Sequence, residues 1–96
     1  MLTSKQRSYL MSLAADLDPV VQVGKEGASP EATTSLEEAF HNRELLKVNV
    51  QKNCPEEPAM IADKLSKRSH SEVVKVIGRK IIFYKKDKDH PKIVLP

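Results

Sequence analysis

Between Val20 and Glu31 the chain passes from an apolar run, Val20-Val21-Gln22-Val23, through Gly24-Lys25-Glu26-Gly27 to Ser29-Pro30-Glu31. No other stretch restricts the backbone so closely. The paired glycines allow a sharp reversal and let another backbone lie against the turn with no Cβ between. The Ser-Pro-Glu triplet has the form of a helix start: a side-chain cap, proline in the first turn, and an acid near the positive dipole end. A strand, a glycine-bounded loop and a helix must follow one another here. Free N–H groups at such a junction, with Lys25 beside them, suit a phosphate or a sugar-phosphate chain. An ordinary tight turn is the simpler reading of the same residues, and the loop alone does not choose between them.

The rest of the chain supplies the frame. Thr3 or Ser4 caps a first helix to about Ala15, with Tyr9-Leu10, Leu13-Ala14 and Leu17 recurring at helical spacing, and Asp18-Pro19 closes it. After the loop, Ala32, Leu36, Ala39 and Phe40 form the apolar face of a second helix that ends near His41-Asn42. Leu46, Val48 and Val50 alternate with Lys47, Asn49 and Gln51, the period of a half-buried strand. A turn from Asn53 leads to Pro58, the start of a third helix with Ile61-Ala62 and Leu65 inside. Val73–Ile77 and Lys80–Tyr84 are strands joined by Gly78-Arg79, a type II′ hairpin connection in which glycine takes the positive φ. Phe83 and Tyr84 then point to opposite sides, with at most one buried against the helices. Lys85–Lys92 reads as a charged mobile stretch and Ile93-Val94-Leu95 as a short edge strand. The order α-β-α-β-α-β-β belongs to the α/β class: one domain with a mixed four-stranded sheet packed by helices.

Charge is distributed unevenly. Residues 1–48 carry five Lys/Arg against seven Asp/Glu, and residues 49–96 carry eleven against six. A basic half on a small domain is the footprint of a polyanion partner, although solvated lysines produce the same bias. One cysteine, Cys54, excludes an internal disulfide and fits a reducing compartment. With no signal-like or membrane-length apolar run, the expectation is a cytoplasmic chain without a membrane partner.

Enzyme chemistry finds little support. His41, His70, His90 and Cys54 lack metal-ligand spacing, and Gly24–Gly27 is neither a Walker A loop nor a dinucleotide fingerprint. No catalytic residue, metal or cofactor is expected. A Gly-x-x-Gly loop in a small domain does match the way KH domains clamp single-stranded RNA. The few aromatic residues, Tyr9, Phe40, Phe83 and Tyr84, exclude an exposed stacking platform, with Tyr9 and Phe40 placed on helix core faces. Recognition would then rest on backbone clamping and RNA shape.

Three blocks carry a family likeness: Leu13–Gly27, Glu44–Val48 with Asn53–Glu56, and Val73–Tyr84. In this order and over nearly the whole chain they resemble the YhbY-like proteins, stand-alone CRM domains named for chloroplast RNA splicing and ribosome maturation. The resemblance implies a fold similar to the C-terminal domain of translation initiation factor 3. It also implies RNA binding, and for single-domain prokaryotic members an association with precursors of the large ribosomal subunit. The family's functional loop maps onto Gly24, Lys25, Glu26 and Gly27, with acidic Glu26 where a second basic residue is usual. The expected RNA-binding residues are these four with Arg79, Lys80 and Arg7; Lys5 and Arg43 are weaker candidates. The expected partners are ribosomal RNA and pre-ribosomal particles, bound by a monomer. The competing reading is a protein-interaction module that docks on ribosomal proteins or assembly factors.

Overall fold

The computed structural model covers Met1–Pro96. Its elements are α1 (Ser4–Ala14), β1 (Val21–Val23), α2 (Pro30–Ala39), β2 (Leu45–Val50), α3 (Pro58–Ser69), β3 (Glu72–Ile77) and β4 (Lys80–Tyr84), the order expected from the sequence. The sheet runs β1-β2-β4-β3, with β1 and β2 parallel and β4 antiparallel to both its neighbours. The last strand therefore inserts between β2 and β3, and β1, β2 and β3 all point the same way. Their carboxyl ends meet along one rim of the sheet.

Alternation decides which side each residue serves. Val21, Val23, Leu46, Val48, Val50, Ile81 and Phe83 face α2 and α3, meeting Ala32, Leu36, Phe40, Ile61, Ala62 and Leu65 in the larger core. Leu45, Val74, Ile82 and Tyr84 face the other way and pack with Leu2, Leu10 and Ala14 beneath α1. The helix ends obey local rules. Thr3 and Gln6 form a reciprocal capping box on α1, and the Ser29 hydroxyl accepts the Ala32 N–H at 3.1 Å to cap α2. Gly78 takes φ 59° in the β3–β4 turn, as the hairpin connection requires.

Several expectations need correction on the α1 side. Of the anticipated α1 stripe only Leu10 and Ala14 are buried, and Tyr9, Leu13 and Leu17 stand at 39%, 41% and 37% exposure. Tyr9 is thus not a core residue, because α1 meets the sheet through Leu10, Met11 and Ala14 and turns Tyr9 away from it. Phe83 and Tyr84 do face opposite sides, yet both are buried, since the sheet is covered at that end on both faces. Residues 93–95 form no strand, and the basic segment before them is tied down. Glu44, 4% exposed, holds it: Oε2 accepts the Asp87 N–H at 2.8 Å, and Oε1 accepts those of Lys92 and Ile93, both at 2.7 Å. Burial pushes the Glu44 carboxyl up, but the three amide donors outweigh it and leave the group below the ordinary carboxylate range. Side chains Ile93 and Leu95 then close over the α1-side core.

Candidate nucleic-acid interface

The rim where β1, β2 and β3 end gathers three connections: Gly24–Gly27 after β1, Gln51–Asn53 after β2, and Gly78-Arg79 after β3. In open α/β sheets the groove outside the strand carboxyl ends is the usual ligand position. Backbone bonds fix these connections to one another. Gln51 N–H donates to Val23 O at 2.8 Å, and Val50 N–H donates to Arg79 O at 2.7 Å. The Arg79 guanidinium donates to Gln51 O at 3.2 Å.

Within the loop, Gly27 N–H donates to Gly24 O at 2.9 Å, so Lys25 and Glu26 occupy the centre of a tight turn. Gly27 then takes φ 65° and its carbonyl accepts the Ser29 N–H at 2.8 Å, which turns the chain into α2. The N–H groups of Lys25, Glu26 and Glu31 donate to no acceptor in the protein. Lys25 is exposed and has no ion-pair partner. An open concavity lies here, bordered by the loop, Glu31 and Ser35 of α2, and Gln51 and Asn53.

The loop is braced from behind by α3. The Arg68 guanidinium donates to Ala28 O, and Lys64 pairs with Glu56. The Glu56 carboxyl is held below its ordinary range chiefly by the Lys64 hydrogen bond; burial opposes this, and Lys64's charge, the Ala28 amide and Arg68 add to it. A Cβ on Gly27 would meet Glu56 Oε1 at 2.9 Å, so this brace closes directly on the second glycine.

Of the residues expected at the interface, Gly24, Lys25, Glu26, Gly27, Arg79 and Lys80 come together at this rim. Arg7 does not. It sits on α1, across the sheet, and its Nη1 donates to Val73 O at 2.6 Å and Val74 O at 3.0 Å. The β3 register slips between Val73 and Lys75. A bulge leaves ladder groups unpaired, and Arg7 satisfies them. Lys5 belongs to the same helix, and Arg43 precedes β2 at the opposite end of the sheet.

Sequence reasoning missed Lys52, Arg68 and Lys64. Lys52 is an exposed cation in the connection beside Gly24, and its position immediately after an alternating strand was the available signal. The roles of Arg68 and Lys64 depend on α3 packing beside the loop, which no local pattern encodes.

Three comparisons bear on this geometry. The model of the CRS1 / YhbY (CRM) domain family matches residues 2–85. The chain is 43% identical over 96 residues to "Probable RNA-binding protein YqeI" of Bacillus subtilis, covering 100% of both. It is 30% identical over 95 residues to an "RNA-binding protein" of Haemophilus influenzae, covering 99% of this chain and 95% of that one. The solution structure of the hypothetical protein SAV1595 from Staphylococcus aureus matches with TM-score 0.85 and 41% identity over 100% of each chain.

Proposed function

Because the chain belongs to the CRS1 / YhbY (CRM) domain family, we propose that it is an RNA-binding protein whose ligand is ribosomal RNA of large-subunit precursors. It acts by binding, as a cytoplasmic monomer, and assists assembly without turnover. One observation carries the reading: the strand carboxyl ends bring Lys25, Lys52, Arg79 and Lys80 from three connections to one rim, beside a turn whose central N–H groups are free. Phosphate oxygens are acceptors that such a site can satisfy with both charge and backbone donors. Glu26 and Glu31 temper the potential, so the loop positions a chain more than it attracts one. The RNA-binding names of the relatives support the ligand class, and the ribosomal assignment rests on the family likeness.

Lys25→Ala tests the loop. Removing one phosphate contact lowers the slope of log affinity against log salt by about 0.7 for a single strand. A folded variant that binds ribosomal RNA with unchanged affinity throughout a salt series overturns the reading. Crosslinking in cells followed by sequencing tests the ribosomal assignment, with enrichment over one patch of large-subunit RNA expected. A partner that survives nuclease and high salt identifies protein docking instead.

A further inference from the structure

The sheet has a second free surface next to the loop. On the α1 side, cross-strand register places Gln22, Asn49, Lys80 and Ile77 in one row across all four strands. The next row inward contains Lys47, Ile82 and Lys75. The helix α1 covers Ile82 and leaves the outer row open, with Gln22, Lys80 and Lys75 exposed, Lys47 and Asn49 half-buried, and Ile77 51% exposed.

We infer that this uncovered half-face is a second RNA-contacting surface, which receives the nucleotides that continue from the Gly24–Gly27 loop around the rim. The inference rests on the loop reading above, and it extends the ligand to a single strand longer than the loop can hold. Three features favour it. The face carries Lys47, Lys75 and Lys80 with no carboxylate among its strand residues, and none of the three is in an ion pair, whereas Lys64 and Lys67 of α3 are both paired. Lysine on a sheet often protects an edge from strand addition; that accounts for Lys75 on β3 but not for Lys47 and Lys80, which lie on the central strands. Finally, the Asn49 side-chain N–H donates to Gln22 Oε1 at 2.8 Å, leaving the Asn49 oxygen and the Gln22 NH₂ free to pair with a base edge beside apolar Ile77. Phosphate donors, base-edge groups and an apolar contact thus lie together on a surface continuous with the loop through Gln22 and Val23.

The test compares two probes, a four-nucleotide RNA, the length a Gly-x-x-Gly loop clamps, and a single strand of about twelve nucleotides, within the span of single-strand sites. The protein carrying Lys47→Gln and Lys75→Gln should bind the short probe as the wild type does. On the long probe its salt slope should fall by about 1.4, so that between 50 and 200 mM salt it loses about sevenfold less affinity than the wild type. If half-buried Lys47 proves necessary for folding, Lys75→Gln alone should still lower the slope by about 0.7. Equal affinity and slope on the long probe, in a folded variant, overturn the inference and leave the loop reading intact. Loss on both probes after Lys25→Ala supports the loop reading separately. A wild type that binds neither probe overturns both.

Discussion

The two loop glycines perform different tasks, and replacing each by alanine separates them. Gly27 sits at φ 65°, where an L-residue is strained, and its added Cβ would lie 2.9 Å from Glu56 Oε1. The left-handed conformation costs about 1–2 kcal/mol. Pushing Glu56 off Lys64 loosens a half-exposed ion pair, which adds up to about 1 kcal/mol. Gly24 has no positive φ, and the one close approach of its Cβ would be Gln51 Oε1 at 2.5 Å, the far end of an exposed and flexible side chain, with Asn53 Oδ1 in ordinary contact at 3.5 Å. Both substitutions stiffen the unfolded chain alike, so that effect cancels in the comparison. Gly27→Ala should therefore be less stable than Gly24→Ala by about 1–3 kcal/mol. For a domain of this size the melting midpoints should differ by about 5–20 °C. Thermal unfolding followed by circular dichroism reads the gap, and RNA affinity measured below both midpoints supplies the second half. Gly24→Ala should fold like the wild type and, on the proposed binding mode, bind RNA more weakly, because its methyl stands in the path assigned to the sugar-phosphate chain. Equal midpoints for the two variants, or a Gly24→Ala protein that melts lower than Gly27→Ala, would refute the division of roles.

Glu44→Gln should weaken the C-terminal segment by about 1–3 kcal/mol, since a buried amide donor loses its acceptor; hydrogen exchange at the Asp87 N–H should accelerate. The folded-state carboxyl lies below its unfolded value, so its contribution is present above the unfolded value near 4.5 and disappears as pH falls through the folded one. Acid unfolding of the wild type should accordingly steepen below that value, and the Gln variant should lose part of the steepening. Arg7→Ala should cost about 1–3 kcal/mol by leaving the Val73 and Val74 carbonyls unpaired at the bulge, measured by urea denaturation. Its affinity for a four-nucleotide RNA should remain that of the wild type.

Local chemistry made much of this molecule legible. Period two marked β2, the Ser29-Pro30-Glu31 triplet marked α2, and Gly78 marked the hairpin, because each signal acts over a few residues. The Gly24–Gly27 loop was readable for the same reason, whereas its meeting with Arg79 and Lys80 on one rim follows from β4 inserting between β2 and β3, a pairing of distant segments. What escaped depends on distant pairings. Arg7 carries the right charge for RNA, but a register slip two-thirds of the chain away occupies it. The tail after Tyr84 looked like a loose lysine segment because its anchor, Glu44, lies four elements earlier in the chain. Tyr9 looked like core because a stripe of apolar residues gives the width a helix can bury, not the width its neighbours cover.

The placement of β4 has a consequence for how the molecule is made. Until Lys80–Tyr84 arrives, β3 has no neighbour, and β2 presents an open flank where the hairpin will later dock. The Val50–Arg79 bond that seats the hairpin turn against the Gln51 connection closes at the same moment. A chain folding from its amino end thus leaves this rim incomplete until the last sheet strand slots into the middle.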